Sequence, residues 1–290
     1  KYAFQNNVEE ALEATRKAWD ERLDVLQIKS ENPQMNRFVN TWNPYSALIN
    51  LQHCRAISTD HMGTDGFRFR DTSQDALAVA NIDPEFAAER MRLVFGQQTS
   101  DGGGCMSFFP NTNRPTTDEP HRADNPVWPV YTINNLIAET GDDAILDEKI
   151  EYRDGGWDSV YDHIYNGLEH VYNRLGPNGL PRMYYADWND ALAIYEDPDA
   201  ESVMLGQQLA YSFDQFKILA QIKEDEEAVE WCDEAARELR DAVNSDAAWD
   251  GKWYRRLVLS DGTPVGAVTN SQAQIFLNPQ SWGVICGAGE

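Results

Sequence analysis

Apolar residues recur at helical spacing in one segment after another, and that repetition narrows the folds open to this chain. Between Asn7 and Ile28, Val8, Leu12, Ala18, Trp19, Leu23 and Leu26 lie on one stripe among charges, which predicts a long amphipathic helix. Asn32-Pro33 is expected to end it. Further helices are expected from Pro44 to about Ser58, Ser73 to Ala80, Glu85 to Gln98, Pro126 to Glu139, Val160 to Leu175, Glu201 to Ile222, Glu226 to Val243, and from Gln280 onward. Short turns and long polar loops alternate between them. Residues 252–265, alternating around a Ser-Asp-Gly turn, predict one small β-hairpin. The expected fold class is therefore all-α: antiparallel helical hairpins stacked into a toroid or barrel, with the long loops gathered at one end. At 290 residues, the chain can bury a large core as a single domain, 1–290.

Two loops stand out. Thr99 to Asn125 is a long irregular stretch, and loops of that length inside a compact domain carry function or move. Gly176 to Leu192, GPNGLPRMYYADWNDAL, opens on turn chemistry and runs through aromatics into Asp187 and Asp190, which flank Trp188 and Asn189. An acid beside an indole suits sugar chemistry. The ring stacks on a pyranose face, the carboxyl reaches the glycosidic oxygen, and an apolar wall disfavours the charged carboxylate. The plainer alternative is that Asp187 caps a helix and Trp188 is core.

Charge narrows the ligand. Acidic residues outnumber basic ones 48 to 24, for a net charge of −24, which argues against nucleic acid and anionic membranes as partners. A neutral ligand such as a sugar fits, and an anionic co-substrate would need a local positive pocket; a surface adapted for solubility is the competing account. Cys54, Cys105, Cys232 and Cys286 are scattered without metal-ligand spacing, as expected in a reducing, cytoplasmic setting. No apolar run is long enough to cross a membrane. Both ends read as interior to a longer protein.

Four segments then fall in a recognisable order: Trp42-Asn43-Pro44-Tyr45, Asp65-Gly-Phe-Arg-Phe-Arg70-Asp71-Thr-Ser-Gln-Asp75, Ala186-Asp-Trp-Asn-Asp190, and Ile275-Phe-Leu-Asn-Pro-Gln-Ser-Trp282. This order resembles the glycoside hydrolase family 94 phosphorylases over nearly the whole chain. The resemblance implies an (α/α)6 barrel, here without its last helices and without the family's N-terminal β-sandwich. It implies inverting phosphorolysis, in which a β-glucoside and inorganic phosphate give α-glucose 1-phosphate and a shortened acceptor. By the same resemblance Asp190 is the general acid, Trp188 lines the donor-sugar subsite, Asp71 binds donor hydroxyls, and Arg55 belongs to that subsite. A homodimer without metal or organic cofactor is also implied. The family's phosphate-binding His and Thr-Gly would lie beyond Glu290, so this stretch alone is expected to be inactive. Asp65 stands where cellobiose phosphorylases carry arginine, and Arg68 where they carry glycine. Cellodextrin- or cellobionate-type members fit at least as well.

From the residues themselves, a phosphorylase needs one carboxylic acid, because phosphate is its own nucleophile, whereas an inverting hydrolase needs a second carboxylate to activate water. Asp190 is the candidate acid and Asp187 the structural one. Arg70 is either a sugar contact or an ion pair tying loop to helix. Asp71 can accept two sugar hydroxyls at once. Asp75 reads as structural, and Arg55 is open between a ligand contact and a surface charge. His121, with Arg114 and Arg122 in the long loop, is open between facing the substrate and the plainer reading of loop surface; His53, His61, His163 and His170 show no ligand spacing; Trp128, Trp157 and Trp282 read as core. Two rivals stay open: a water-using hydrolase, with Asp71 or an acid of the Thr117–Asp124 loop as base, and a non-catalytic sugar-binding barrel.

Overall fold

The computed structural model describes residues 4–55, 66–110, 112, 114–115, 122–192, 194 and 196–289. Asp65, His61, His121 and the loop acids Asp118 and Glu119 lie outside them. The chain is mostly helical with a few short strands, as the apolar periodicity requires.

The first helix, α1 (Gln5–Leu23), stops short of the expected Ile28 and buries no residue; Trp19 leans on Tyr45 with ring centroids 5.1 Å apart. Asn32-Pro33 starts a helix rather than ending one. Asn32 Oδ1 accepts the N–H groups of Gln34 and Met35, and Pro33 sits in the first turn of α2 (Pro33–Arg37). A π-turn (Phe38–Trp42) joins it to α3 (Asn43–His53). Pro44 has no N–H to give to the ladder, and the N–H of Asn43 reaches back five residues to Phe38 O.

The consequential correction concerns α4 (Phe69–Val79), which begins four residues before the expected Ser73. A helix start at Ser73 would leave Arg68, Arg70 and Asp71 in the loop before it. In the fold Phe69, Arg70 and Asp71 are all buried in the helix's first turn, where Arg70 pairs with Asp124 and Asp71 lies near Arg55 and Arg68. Strand β1 (Phe67–Arg68) leads into it and pairs with β2 (Ser107–Phe109), which pairs with β3 (Arg114–Pro115), so part of the long irregular stretch is a small antiparallel sheet. Gly66 has φ +68°, and a Cβ there would sit 2.3 Å from Phe108 O, so only glycine fits this approach.

After α5 (Pro84–Phe95) and a 3-10 turn (Asn125–Val127) come α6 (Pro129–Thr140), an unforeseen hairpin of β4 (Lys149–Glu151) and β5 (Trp157–Ser159), and α7 (Val160–Tyr172). Trp157 is 60% exposed on that hairpin, against its reading as core. The expected hairpin near 252–265 is present as β7 (Leu257–Val258) and β8 (Pro264–Val265). It is extended by β6 (Glu201–Ser202), which leads into α8 (Val203–Ile222). Two helices complete the order, α9 (Glu226–Val243) and α10 (Leu277–Ile285).

Helices α4, α6, α8 and α10 pack side by side, α4 on α6, α6 on α8 and α8 on α10, while α5 and α9 back onto α4 and α8. This is the alternation of an (α/α)6-type barrel. Helix α8 is buried almost all round, with Leu205, Leu209, Phe213, Phe216 and Leu219 inaccessible; α9 approaches it through Ala228, Cys232, Ala235 and Ala236. Burying each of the large side chains contributes roughly 1.5–3 kcal/mol. Trp128 and Trp282 pack edge-on at 6.3 Å against this core. All four cysteines are buried; burial pushes the Cys105 thiol up to about 11 and the Cys232 thiol up to about 12. Among the described residues no helix is long and apolar enough to cross a membrane.

Candidate active site

The N-terminal ends of α4, α6 and α8 meet at one end of the barrel, and the 187–190 turn is fastened to them. Asp187, wholly buried, accepts the N–H of Asn189 (2.9 Å) and Arg256 Nη2 (2.5 Å) on one carboxylate oxygen. Its other oxygen accepts Ser202 Oγ (2.7 Å). Ser202 caps α8 through the N–H of Leu205, and Arg256 Nη1 also donates to Ser202 Oγ. Arg256 is itself inaccessible. One buried ion pair therefore ties the turn to α8 and to the β6–β7–β8 sheet. Asp187 is structural in this geometry.

Three residues on, Asp190 opens a 3-10 turn (Asp190–Leu192) with its side chain 39% exposed. Arg122 Nε donates to Asp190 Oδ1 at 2.7 Å and Arg70 Nη2 to Asp190 Oδ2 at 3.1 Å. Its partners are thus two guanidinium groups rather than the expected indole wall; Trp188 is 41% exposed. Arg70 also donates to the backbone O of Asp187 (3.3 Å) and to Asp124 Oδ1 (3.2 Å). Asp124 is fully buried and accepts Trp128 Nε1 at 2.8 Å. Burial pushes its carboxyl up to about 6, opposed by the Arg70 charge.

Asp71, one residue past Arg70, lies 3.8 Å from Arg55 Nη1 and 3.9 Å from Arg68 Nε. Arg55 itself is committed to α4, bonding Asp75 Oδ1 at 2.5 Å and Gln74 Oε1 at 3.1 Å. A small cavity of about 10 Å³ is lined by Arg68, Arg70, Asp71, Arg122, Asn125 and Asp190. The fold thus gathers Asp190, Arg70 and Asp71 of the expected residues around one space, and leaves Arg55 and Trp188 outside its lining. Among the described residues, no three His, Cys, Asp or Glu side chains gather as metal ligands.

The segments that build this site match a family along most of the chain: residues 18–290 fit the glycosyl hydrolase 94 superfamily, catalytic domain. The chain belongs to that superfamily. Its relatives include the N,N'-diacetylchitobiose phosphorylase of Vibrio furnissii, 28% identical over 99% of this chain and 39% of its own length. The solabiose phosphorylase of Paenibacillus borealis is 31% identical over 91% of this chain and 33% of its own. The chain thus spans well under half of either relative. The solved cellobiose 2-epimerase of Spirochaeta thermophila superposes with a TM-score of 0.50 at 13% identity, over 85% of this chain and 61% of its own, a likeness of fold alone.

Sequence reasoning took Arg122 for loop surface and Asp124 only for a possible base of a hydrolase, whereas both are buried, Arg122 on Asp190 and Asp124 on Arg70; Ser202 and Arg256 it overlooked. The Arg-Ala-Asp run ahead of the Asn125-Pro126 helix start was a usable signal for the first two. Arg256 had none: it is the second of two adjacent arginines, Arg255 and Arg256, and only the pairing of the neighbouring strands decides which of them is inaccessible.

Proposed function

We propose that the protein catalyses inverting phosphorolysis of a β-linked glucose disaccharide or oligosaccharide such as cellobionic acid, cellobiose or a cellodextrin. The products are α-glucose 1-phosphate and the shortened acceptor. Asp190 gives its proton to the leaving glycosidic oxygen as the C1–O bond breaks, and a phosphate oxygen bonds to C1 from the opposite face, which inverts the anomeric centre. Asp190 is then a carboxylate, with Arg70 and Arg122 within hydrogen-bond reach of its two oxygens. Asp71, Arg70, Arg55 and Trp188 bind the donor sugar, with Asp71 accepting hydroxyls and Trp188 offering its exposed face. Inorganic phosphate is the co-substrate, with no cofactor or metal. A cytoplasmic homodimer completes the reading and is open to sedimentation.

The observation that carries it is the shared cavity: Asp190 and the Arg70–Asp71 pair, far apart in sequence, line one space. Family membership supports phosphate use, and relatives named for chitobiose and solabiose leave the acceptor open. The test incubates the full-length protein with cellobiose, cellodextrin or cellobionic acid, with and without phosphate. Phosphate-dependent release of α-glucose 1-phosphate, lost in Asp190→Asn, is expected. Sugar release without phosphate would instead make it a hydrolase, with Asp71 in the same cavity as base. Undiminished turnover in Asp190→Asn would remove Asp190 as the acid.

A further inference from the structure

No step of the reaction as proposed uses Asp124, and its burial keeps it from touching substrate. Its backbone is nonetheless fastened beside the 187–190 turn. The N–H of Ala123 donates to Ala186 O at 2.8 Å, Arg122 forms a β-bridge with Tyr184, and Asn125 Nδ2 donates to Cys105 O at 2.9 Å. A carboxylate on such a frame has little freedom of its own. Trp128 Nε1 removes more of it by donating to Asp124 Oδ2 at 2.8 Å, with its ring packed edge-on against Tyr131 and Trp282.

What Asp124 holds is Arg70. Arg70 Nη1 donates to Asp124 Oδ1 (3.2 Å) and to the backbone O of Asp187 (3.3 Å), while Nη2 donates to Asp190 Oδ2 (3.1 Å). A guanidinium is planar, so fixing one nitrogen at two points sets the direction of the other. The second donor to Asp190, Arg122 Nε, is set separately, with its guanidinium carbon 4.1 Å from the centre of the Tyr185 ring. Each carboxylate oxygen of Asp190 thus has one arginine, and the Arg70 side of that grip is anchored through Asp124 to the core.

We infer that Asp124 is a positioning residue for Asp190: by holding Arg70, it fixes the direction in which the Asp190 carboxyl meets the leaving oxygen. This role rests on Asp190 being the acid, and not on phosphate being the nucleophile. Proton transfer needs the two oxygens within hydrogen-bond reach, and a displacement of about 1 Å can cost roughly 100-fold in rate.

Two substrates separate positioning from support of the fold. The glycosidic oxygen of a disaccharide leaves with a proton, whereas dinitrophenolate leaves a dinitrophenyl β-glucoside as a stable anion, taking the bonding pair without one. The ratio of the two turnover rates does not depend on how much of the protein is folded. The full-length protein is assayed with phosphate on the dinitrophenyl glucoside and on whichever of cellobiose, cellodextrin or cellobionic acid it cleaves. Asp190→Asn sets the scale, with a loss of roughly 10²–10⁴-fold on the natural substrate alone. Asp124→Asn removes the charge and one of the two accepting oxygens. It is expected to lose roughly 10- to 100-fold on the natural substrate, with dinitrophenyl turnover nearly unchanged. Trp128→Phe, which keeps the apolar ring and deletes the donor to Asp124, is expected to show the same selective loss, smaller. Equal losses on both substrates in Asp124→Asn, with the selective loss in Asp190→Asn intact, would overturn the positioning role and leave the acid in place. A KM raised for both substrates at constant kcat would also overturn it, placing the effect on the donor sugar. Should Asp124→Asn fail to fold, the absence of a selective loss in Trp128→Phe overturns it. Equal losses, or none, in Asp190→Asn would remove the acid and the positioning role together. Selective losses in a protein that releases sugar without phosphate leave Asp124 in its role and remove phosphorolysis.

Discussion

Asp187 and Asp190 stand three residues apart, and the fold treats them oppositely. Asp187 and its partner Arg256 are both inaccessible, with every carboxylate contact made to protein. Asp190 also pairs with arginines, yet 39% of its side chain is exposed and it faces a cavity. A buried ion pair fixes geometry because either partner alone is intolerable there. A half-exposed pair can exchange its partners for ligand and water at little cost. The comparison assigns the roles: one aspartate holds the turn still so that the other can change its proton and its contacts.

The largest effect should come from breaking the sealed pair. Asp187→Ala leaves Arg256 charged and buried, and a loss of about 3–5 kcal/mol is expected in denaturant unfolding, with activity lost through unfolding. Asp190→Asn should reverse the pattern. Turnover is expected to fall roughly 10²–10⁴-fold while sugar affinity survives and stability changes by less than about 1 kcal/mol. If Asp190→Asn instead destabilised the fold as much as Asp187→Ala, the contrast between the two aspartates would be lost.

Asp124 sharpens the comparison through pH. Burial raises its carboxyl to about 6 in the folded protein, above the usual unfolded value near 4. The folded state therefore binds the extra proton, and this group's contribution to stability is full below about pH 4 and lost as pH rises through about 6. Asp124→Asn should flatten the pH dependence of unfolding across that window, by roughly 1–3 kcal/mol between its ends. An unchanged slope would show that Arg70 keeps Asp124 ionised throughout.

The helices were legible because an amphipathic period survives whatever it packs against: Glu226–Val243 falls where the spacing puts it. Phe69–Val79 was legible only in part. Charged side chains at its start look like solvent-facing loop until a partner such as Asp124 closes over Arg70. The strands were mostly hidden, because pieces of two or three residues carry no alternation to read. In the site, Asp190, Arg70 and Asp71 were visible as motif residues, whereas Arg256 and Ser202 act through a contact set by strand register. No local pattern announces such a contact.

The smallest expected effect separates two tryptophans that composition cannot tell apart. Trp188 and Trp157 are both well exposed, at 41% and 60%, but only Trp188 adjoins the Asp187–Asp190 turn. Both indoles are partly exposed and partly buried, so replacing either with alanine should cost a similar, modest amount, about 1–2 kcal/mol, in unfolding. A ring that stacks on the donor sugar contributes about 1 kcal/mol, which appears as a KM raised roughly fivefold at nearly constant kcat in Trp188→Ala. Trp157→Ala, on the β4–β5 hairpin, should leave both constants unchanged. Equal KM values in the two variants would take the indole out of the sugar site and leave recognition to the Arg70–Asp71 turn.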